Sequence, residues 1–319
     1  MAFTSIEICA GAGGQALGLE LAGFDHVSLV ELDATACQTL RINRPHWHIT
    51  EGDLHHYSAE KWKSVTLLAG GVPCPPFSKA GKQLGQDDDR DLFPEAIRLV
   101  AECQPQAVML ENVRGLLDSV FDEYRAKIIS DLKKLGYIAE WRLLNASDYG
   151  VPQLRPRVVF VALKPAASRY FSWPTAQNSP PPTVGEALFD LMSAHGWHGA
   201  EQWRERACDI APTLVGGSKK HGGPDLGPTR AKKAWASIGV DGMGIANSAP
   251  EHDFIGMPRL TVRMAARIQG FPDHWQFSGK KTAIYRQVGN AFPPPVAHAV
   301  GLQIQAALDA ASKRQIMRA

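Results

Sequence analysis

The sequence has no C-x-x-C pair. Its five cysteines, Cys9, Cys37, Cys74, Cys103 and Cys208, form an odd and widely spaced set, which argues against a dithiol redox motif or a zinc ribbon and for free thiols in a reducing compartment. No apolar run approaches the roughly 18 residues that a membrane span needs. The opening residues, Met1 to Glu7, carry neither a basic segment nor an apolar secretory core. A cytoplasmic protein is therefore expected; a monomer is expected as well. His46, His48, His55 and His56 are close together, yet neither a helical i, i+4 spacing nor a cysteine pair joins them, so no metal site is expected. Internal repeats and low-complexity tracts are also missing. Net charge is small, +2 from 34 Lys+Arg against 32 Asp+Glu, and this hides an asymmetry. Residues 1–200 hold 18 basic against 23 acidic side chains, residues 201–319 hold 16 against 9, and a basic C-terminal third suits a polyanionic partner.

What is present in the first half is alternation. Ile6–Cys9 reads as a strand, Gly11-Ala12-Gly13-Gly14 as a turn, and Gln15 to Ala22 as a helix. Val27–Val30 is a second strand ending at Glu31, and Ala34 to Asn43 a second helix. The same rhythm continues through Val65–Ala69, Phe93–Cys103, Ala107–Leu110, Tyr124–Leu135, Glu140–Leu144 and Val158–Leu163. Strands alternating with helices predict an α/β fold, a doubly wound and mostly parallel sheet with helices on both faces. After Lys164 the pattern breaks at Trp173-Pro174 and Pro180-Pro181-Pro182. From Thr175 to about Pro258 the periodicity is poor, and glycines are interleaved with Lys219, Lys220, Arg230, Lys232 and Lys233. Such a stretch is either a flexible surface or a region that follows a phosphate backbone with cations and amide N–H groups. Val262–Ile268 and a closing stretch, Val296 to Ala311, read as helices.

Four features bear chemistry. Strand, Gly11-x-Gly13-Gly14, helix, second strand and Glu31 make the first βαβ unit of a nucleotide-type site, with Glu31 placed to grip ribose hydroxyls. The full G-x-G-x-x-G is absent, since Ala16 stands where its last glycine would fall, and Asp53 offers a second carboxylate for an exocyclic amine. In Gly71-Val72-Pro73-Cys74-Pro75-Pro76-Phe77-Ser78, prolines fix φ on both sides of one thiol just past a buried strand. Alone, Cys74 reads more readily as a structural thiol in a proline turn. Glu111, in Leu110-Glu111-Asn112-Val113, ends another strand, where burial is expected to raise its pKa and suit it to holding a proton. In Gln153-Leu154-Arg155-Pro156-Arg157, two guanidiniums meet the start of a strand, suited to a base carbonyl, a phosphate or a structural ion pair.

In this order the segments make the chain resemble the DNA cytosine-5 methyltransferases of bacterial and phage restriction-modification systems. Ile8–Gly14, Val72–Ser78, Glu111–Val113, Asn145–Arg157, Arg259–Pro272 and Gln287–Pro293 carry the resemblance, which spans nearly the whole chain. It implies the sheet of S-adenosylmethionine-dependent methyltransferases with a smaller, irregular target-recognition domain. It also implies flipping of a cytosine from double-stranded DNA and methylation at C5 to 5-methylcytosine. By resemblance, Cys74 is the nucleophile, Glu111 holds the base, and Arg157 with Arg155 contacts it. Ala10, Gly11, Gly13, Glu31, Asp53, Pro73 and Asn290 line the cofactor pocket. Lys79, Lys82, Arg90, Lys219, Lys220, Arg230, Lys232 and Lys233 are candidate DNA contacts. The implied division is 1–174 for the catalytic and cofactor-binding domain, 175–282 for target recognition including a hinge helix, and 283–319 for a segment returning to the catalytic domain. A companion restriction endonuclease is a further implied partner. Two positions depart from the family pattern: Gln15 stands where a phenylalanine is frequent, and Leu32 follows Glu31 where an aromatic is common. A tRNA-methylating relative is disfavoured because the Cys-Phe-Thr element of those enzymes is absent, and a catalytically silent DNA-binding regulator because Cys74, Glu111 and Arg157 are all in place.

Overall fold

The computed structural model describes residues 3–73, 91–217 and 223–316. Cys74, Lys79, Lys82, Arg90, Lys219 and Lys220 lie outside these residues. The first part of the chain runs β1 (Phe3–Ile8), α1 (Gly14–Leu21), β2 (Phe24–Glu31), α2 (Ala34–Asn43), β3 (Ile49–Glu51), β4 (Leu67–Gly70), α3 (Phe93–Cys103), β5 (Ala107–Val113), α4 (Asp122–Lys134), β6 (Ile138–Asn145), β7 (Pro156–Leu163) and a short α5 (Pro165–Ser168). The seven strands form one sheet in the order β3-β2-β1-β4-β5-β7-β6. Neighbours from β3 to β5 pair parallel, and β7 runs antiparallel to both β5 and β6. The sheet is thus mostly parallel, as the alternation predicts.

Strand residues divide between the two faces with period two. Leu68, Val108, Leu110 and Phe160 pack with Phe93, Leu99 and Val100 of α3 and with Ile128 and Leu132 of α4. Leu67, Ala69, Ala107, Met109 and Val161 pack with Leu19 of α1 and with Val296, Val300 and Ile304 of α11 (Pro294–Ile316). Burial on both faces explains why these strands read as continuous apolar runs rather than alternating ones. The close approach of α1 to α11 depends on Gly18, where a Cβ would fall 2.3 Å from the Pro294 carbonyl oxygen.

The stretch of poor periodicity is more helical than expected. It contains α6 (Val184–Met192), α7 (Ala200–Arg206) and α8 (Thr229–Ser237), followed by α9 (Val262–Ile268) and α10 (Lys281–Asn290). The reason is local. α7 is seven residues long and buries Ala200 and Trp203, and α8 buries Trp235 alone, so neither leaves an apolar stripe long enough to show a 3.6-residue period. α6 is better marked, by a capping box in which Thr183 and Glu186 satisfy each other's backbone N–H groups. These helices share one core with the sheet domain: Trp203, Trp235, Leu260 and Tyr285 cluster with Leu17, Leu29, Leu40 and Trp47. Position 283, the expected start of the returning segment, falls inside α10. Among the described residues no helix is long and apolar enough to cross a membrane.

Candidate active site

β1 and β4 are neighbours, but the chain leaves them toward opposite edges of the sheet. A crevice opens at the carboxyl ends of strands at such a switch point. Here it is a cavity of about 400 Å³. The strands stay close because residue 70 is glycine, since a Cβ there would fall 2.4 Å from the Ile8 carbonyl oxygen. Beyond β1 the chain turns sharply, with left-handed φ at Cys9, Gly11 and Gly13. At Gly11 a Cβ would meet nothing within 4 Å, so the turn presents bare backbone to the cavity. At Gly13 a Cβ would lie 2.7 Å from Leu40 Cδ2 and 3.0 Å from the Trp275 ring; this glycine is required for packing behind the turn and does not line the cavity.

Two carboxylates frame one side. Glu31 accepts from the Gly11 N–H and the Asp33 N–H, both at 2.7 Å. Burial raises its pKa, and these N–H groups oppose the shift. Asp53 is half-exposed and accepts from the His55 N–H at 3.0 Å, with His55 Nδ1 2.7 Å away. These bonds, the backbone one first, hold its carboxyl below the usual range. Ala10, Gly11, Glu31, Asp53, Pro73 and Asn290 all line the cavity. Sequence reasoning missed Glu7, Cys9, Arg286 and Phe292, which line it too. Glu7 carried a signal, a carboxylate inside an apolar strand; its Oε2 is buried without a hydrogen-bond partner, and burial, reinforced by Glu111, raises its pKa well above the ordinary value. Of the two departures from the family pattern, Gln15 is buried and donates from Nε2 to the Met109 carbonyl at 3.4 Å. Leu32 lines the cavity with 68% of its surface bare.

The second part of the site lies at the end of β5. Glu111 is 7% and Arg157 8% exposed, and Arg157 Nε stands 3.2 Å from Glu111 Oε1. The register explains the meeting: Arg157 pairs with Val113, two residues from Glu111 on the same face. Glu111 also leans over the chain leaving β4, since a Cβ at Gly71 would lie 3.1 Å from its Oε2. Asn112 Nδ2 donates to the Val72 carbonyl at 2.8 Å. The stem that ends at Pro73, one residue before Cys74, is thereby fixed against β5. Arg155 takes another course. It is 1% exposed, and its guanidinium donates to the carbonyls of Leu214, Gly289 and Ala291 at 2.8–2.9 Å. It is not among the residues that line the cavity, and these three carbonyls occupy the guanidinium that was expected to contact the base beside Arg157. Burial pushes the thiols of Cys37 and Cys103 up to about 12 and that of Cys9 higher, so these three are neutral thiols at ordinary pH.

A glycine turn, two flanking carboxylates and a buried acid–guanidinium pair beside the stem of a cysteine loop suit transfer chemistry on a heterocyclic base. Residues 3–306 match the family described as C-5 cytosine-specific DNA methylase. The chain belongs to that family. This methyltransferase is 60% identical over 311 residues to the Type II methyltransferase M.NgoMIV of Neisseria gonorrhoeae, covering 97% of this chain and 99% of that protein. It is 58% identical over 310 residues to M.NaeI of Lentzea aerocolonigenes, covering 95% and 75% respectively. Among solved structures it is similar to a protein assigned as a DNA modification methyltransferase encoded within an Escherichia coli prophage, with a TM-score of 0.69 and 25% identity over 96% of this chain and 99% of that one. Spodoptera frugiperda DNMT2 shares the fold, with a TM-score of 0.66 and 16% identity over 95% and 99%. The protein is a DNA (cytosine-5-)-methyltransferase of the restriction-modification type that uses S-adenosylmethionine. Its cavity fits that cofactor. The bare backbone at Gly11 leaves room for close approach, and the α1 N-terminus at Gly13 has no side-chain cap to compete for its N–H groups.

Proposed function

We propose that Cys74, Glu111 and Arg157 carry the reaction, with Arg155 supporting them from behind. The observation that carries this reading is the buried Glu111–Arg157 pair, which stands over Gly71 at the mouth of the cofactor cavity and beside the stem leading to Cys74. Cytosine C5 is a poor nucleophile until C6 bears an adduct. The Cys74 thiolate adds to C6, and the displaced electron pair is delocalised over C5, C4 and N3. Glu111 hydrogen-bonds N3 and the exocyclic amine, and Arg157 the ring carbonyl, so that the developing charge meets donors. Bound S-adenosylmethionine would supply the methyl group that C5 takes, its sulfonium S–CH3 bond breaking to leave S-adenosylhomocysteine. A base then removes the C5 proton, the S–C6 bond breaks, and the thiolate leaves 5-methylcytosine. The base must leave the duplex for this, which costs a few kcal/mol of unstacking.

The cofactor is held by this chain's residues as follows. Glu31 takes the ribose hydroxyls and Asp53 the exocyclic amine of the adenine. Ala10, Gly11, the α1 N-terminus, Pro73 and Asn290 surround the remainder, with Gly13 shaping the turn from behind, and a carboxylate is favoured at a helix N-terminus. Residues 175–282 form the DNA-recognition region, with 1–174 and 283–319 as the catalytic part. Arg230 and Lys233 are exposed on α8, whereas Lys232 is tied to Asp225 at 2.9 Å. The first two are therefore the better phosphate contacts of the three. Lys79, Lys82, Arg90, Lys219 and Lys220 remain candidates from sequence. We further propose that the protein acts in the cytoplasm as a monomer and protects DNA from a companion endonuclease.

The experiment incubates the protein with labelled S-adenosylmethionine and either duplex DNA or tRNA, alongside Cys74→Ser. Label on DNA cytosine, lost in the variant, is expected. Label on tRNA, or cofactor binding with no transfer to DNA of varied sequence, would overturn the reading. Bisulfite sequencing of DNA from expressing cells then gives the target site.

A further inference from the structure

Gln153, Arg155 and Gln269 are each no more than 1% exposed, and together they form one connected polar cluster. Gln153 Oε1 accepts from the Leu214 N–H at 2.8 Å, and its Nε2 donates to Gln269 Oε1 at 2.8 Å and to the Ile268 carbonyl at 3.2 Å. Gln269 Nε2 donates to the Ala291 carbonyl. Arg155 donates to the same carbonyl and to those of Gly289 and Leu214. Four pieces of chain thus meet in the interior: the segment leading into β7, the segment from Leu214, the end of α9 and the end of α10. Burying a guanidinium against carbonyls is costly: burial first, and then repulsion by Arg157, hold its pKa well below the ordinary value, and Glu111 only partly offsets them. A core that needed stability alone would be better served by apolar side chains.

The two outer ends of the cluster touch each other. Asn290 Nδ2 donates to the Gly217 carbonyl at 3.2 Å. Residue 216 must be glycine for this contact, because a Cβ there would fall 2.5 Å from Asn290 Oδ1 and 2.8 Å from the Arg286 carbonyl oxygen. Arg286, Asn290 and Ala291 line the cofactor cavity. Leu214–Gly217 leads toward the basic, glycine-rich stretch and α8, the side that meets DNA in the reading above. A ligand that fixes Leu214–Gly217 therefore also fixes the cavity wall at Arg286 and Asn290, and the reverse.

We propose that Gln153, Arg155 and Gln269 are positioning residues that couple DNA engagement to cofactor binding, by locking the Leu214–Gly217 segment to the Asn290 wall. The inference rests on the placement of the cofactor against Asn290. By linkage, DNA must then tighten the cofactor site by the same factor as the cofactor tightens the DNA site.

The test measures the dissociation constant of S-adenosylhomocysteine by titration calorimetry, alone and with a saturating duplex carrying the target site found by bisulfite sequencing. It uses the full chain, Arg155→Lys and Gly216→Ala. Lysine keeps the charge but has no fork to reach three carbonyls, and alanine at 216 pushes the segment off Asn290. DNA is expected to tighten cofactor binding about fivefold or more in the unaltered protein, within the usual range for coupled sites. In each folded variant that factor, the ratio of the affinities with and without DNA, is expected to approach one. No tightening in the unaltered protein, or an unchanged factor in a folded variant, would overturn the proposal. So would failure of both variants to fold by circular dichroism, which would make the cluster a folding device. Loss of cofactor binding without DNA in Asn290→Ala checks the reading beneath it separately: a cofactor that binds that variant normally removes the Asn290 wall itself.

Discussion

Glu111 Oε1 and Arg157 Nε lie 3.2 Å apart, yet neither atom makes an aligned hydrogen bond. Buried charged groups normally satisfy one another. A pair that is close but misaligned keeps an acceptor and a donor available for a third party, and the groups match the amine and the carbonyl of a cytosine. Glu111→Gln keeps the shape and removes the acid–base group. It is expected to lower the single-turnover methyl-transfer rate by about 10²- to 10⁴-fold, the usual worth of acid–base assistance, with little change in DNA affinity. Arg157→Lys is expected to show a similar direction of effect. A rate within threefold of the unaltered enzyme in both would contradict the assignment.

Leu32 leaves most of its surface open on the cavity wall. An aromatic ring there would stack on a purine, and such contacts contribute about 0.5–1.5 kcal/mol beyond area burial. Leu32→Tyr is therefore expected to tighten S-adenosylhomocysteine binding by roughly two- to tenfold. Weaker binding, measured by calorimetry, would show that the adenine does not lie against this side chain.

Glu7 makes a prediction about pH. Its pKa in the fold is raised, first by burial and then by Glu111. The folded protein therefore retains this proton after the unfolded chain has lost it. Stability linked to Glu7 is complete below the ordinary value of 4.5 and declines as pH rises from there toward the folded pKa. The slope is about 1.4 kcal/mol per pH unit for one proton. Glu7→Gln cannot ionise, so denaturation midpoints measured from pH 5 upward are expected to fall less steeply with pH than in the parent. Parallel curves would contradict this account of Glu7.

Arg230 and Lys233 are exposed on α8, while Lys232 is held by Asp225. If the first two meet phosphates, each alanine variant is expected to reduce the slope of log K against log salt by about one. Lys232→Ala is expected to change it less. Equal slopes for all three variants and the parent would place DNA elsewhere.

The sheet was legible because strands buried on both faces leave unbroken apolar runs, as at Leu67–Gly70 and Ala107–Leu110. Glu31 and Glu111 were legible because a carboxylate at the end of such a run has few structural uses. The helices α7 and α8 were not, since each buries too few side chains to write a period. Arg155 and Arg157 illustrate a sharper limit. Two residues apart around one proline, they look equivalent in sequence, but Arg157 reaches the buried acid while Arg155 is drawn into carbonyls from residues 214, 289 and 291. Partners 59 to 136 positions away leave no local trace. The cofactor-wall contribution of Arg286 was hidden for the same reason.

In the proposed reaction the thiol at position 74 bonds covalently to cytosine C6. A fluorine at C5 cannot depart as a cation, so a target cytosine carrying it would accept the thiol and the methyl group but could not expel the enzyme. The decisive measurement incubates the protein with S-adenosylmethionine and a duplex bearing 5-fluorocytosine at the target position, then locates the linkage by peptide mass spectrometry. A stable one-to-one adduct at Cys74 is expected, absent from Cys74→Ser. An adduct at Cys9, Cys37, Cys103 or Cys208, or methyl transfer to DNA with no adduct at all, would contradict the proposed reaction.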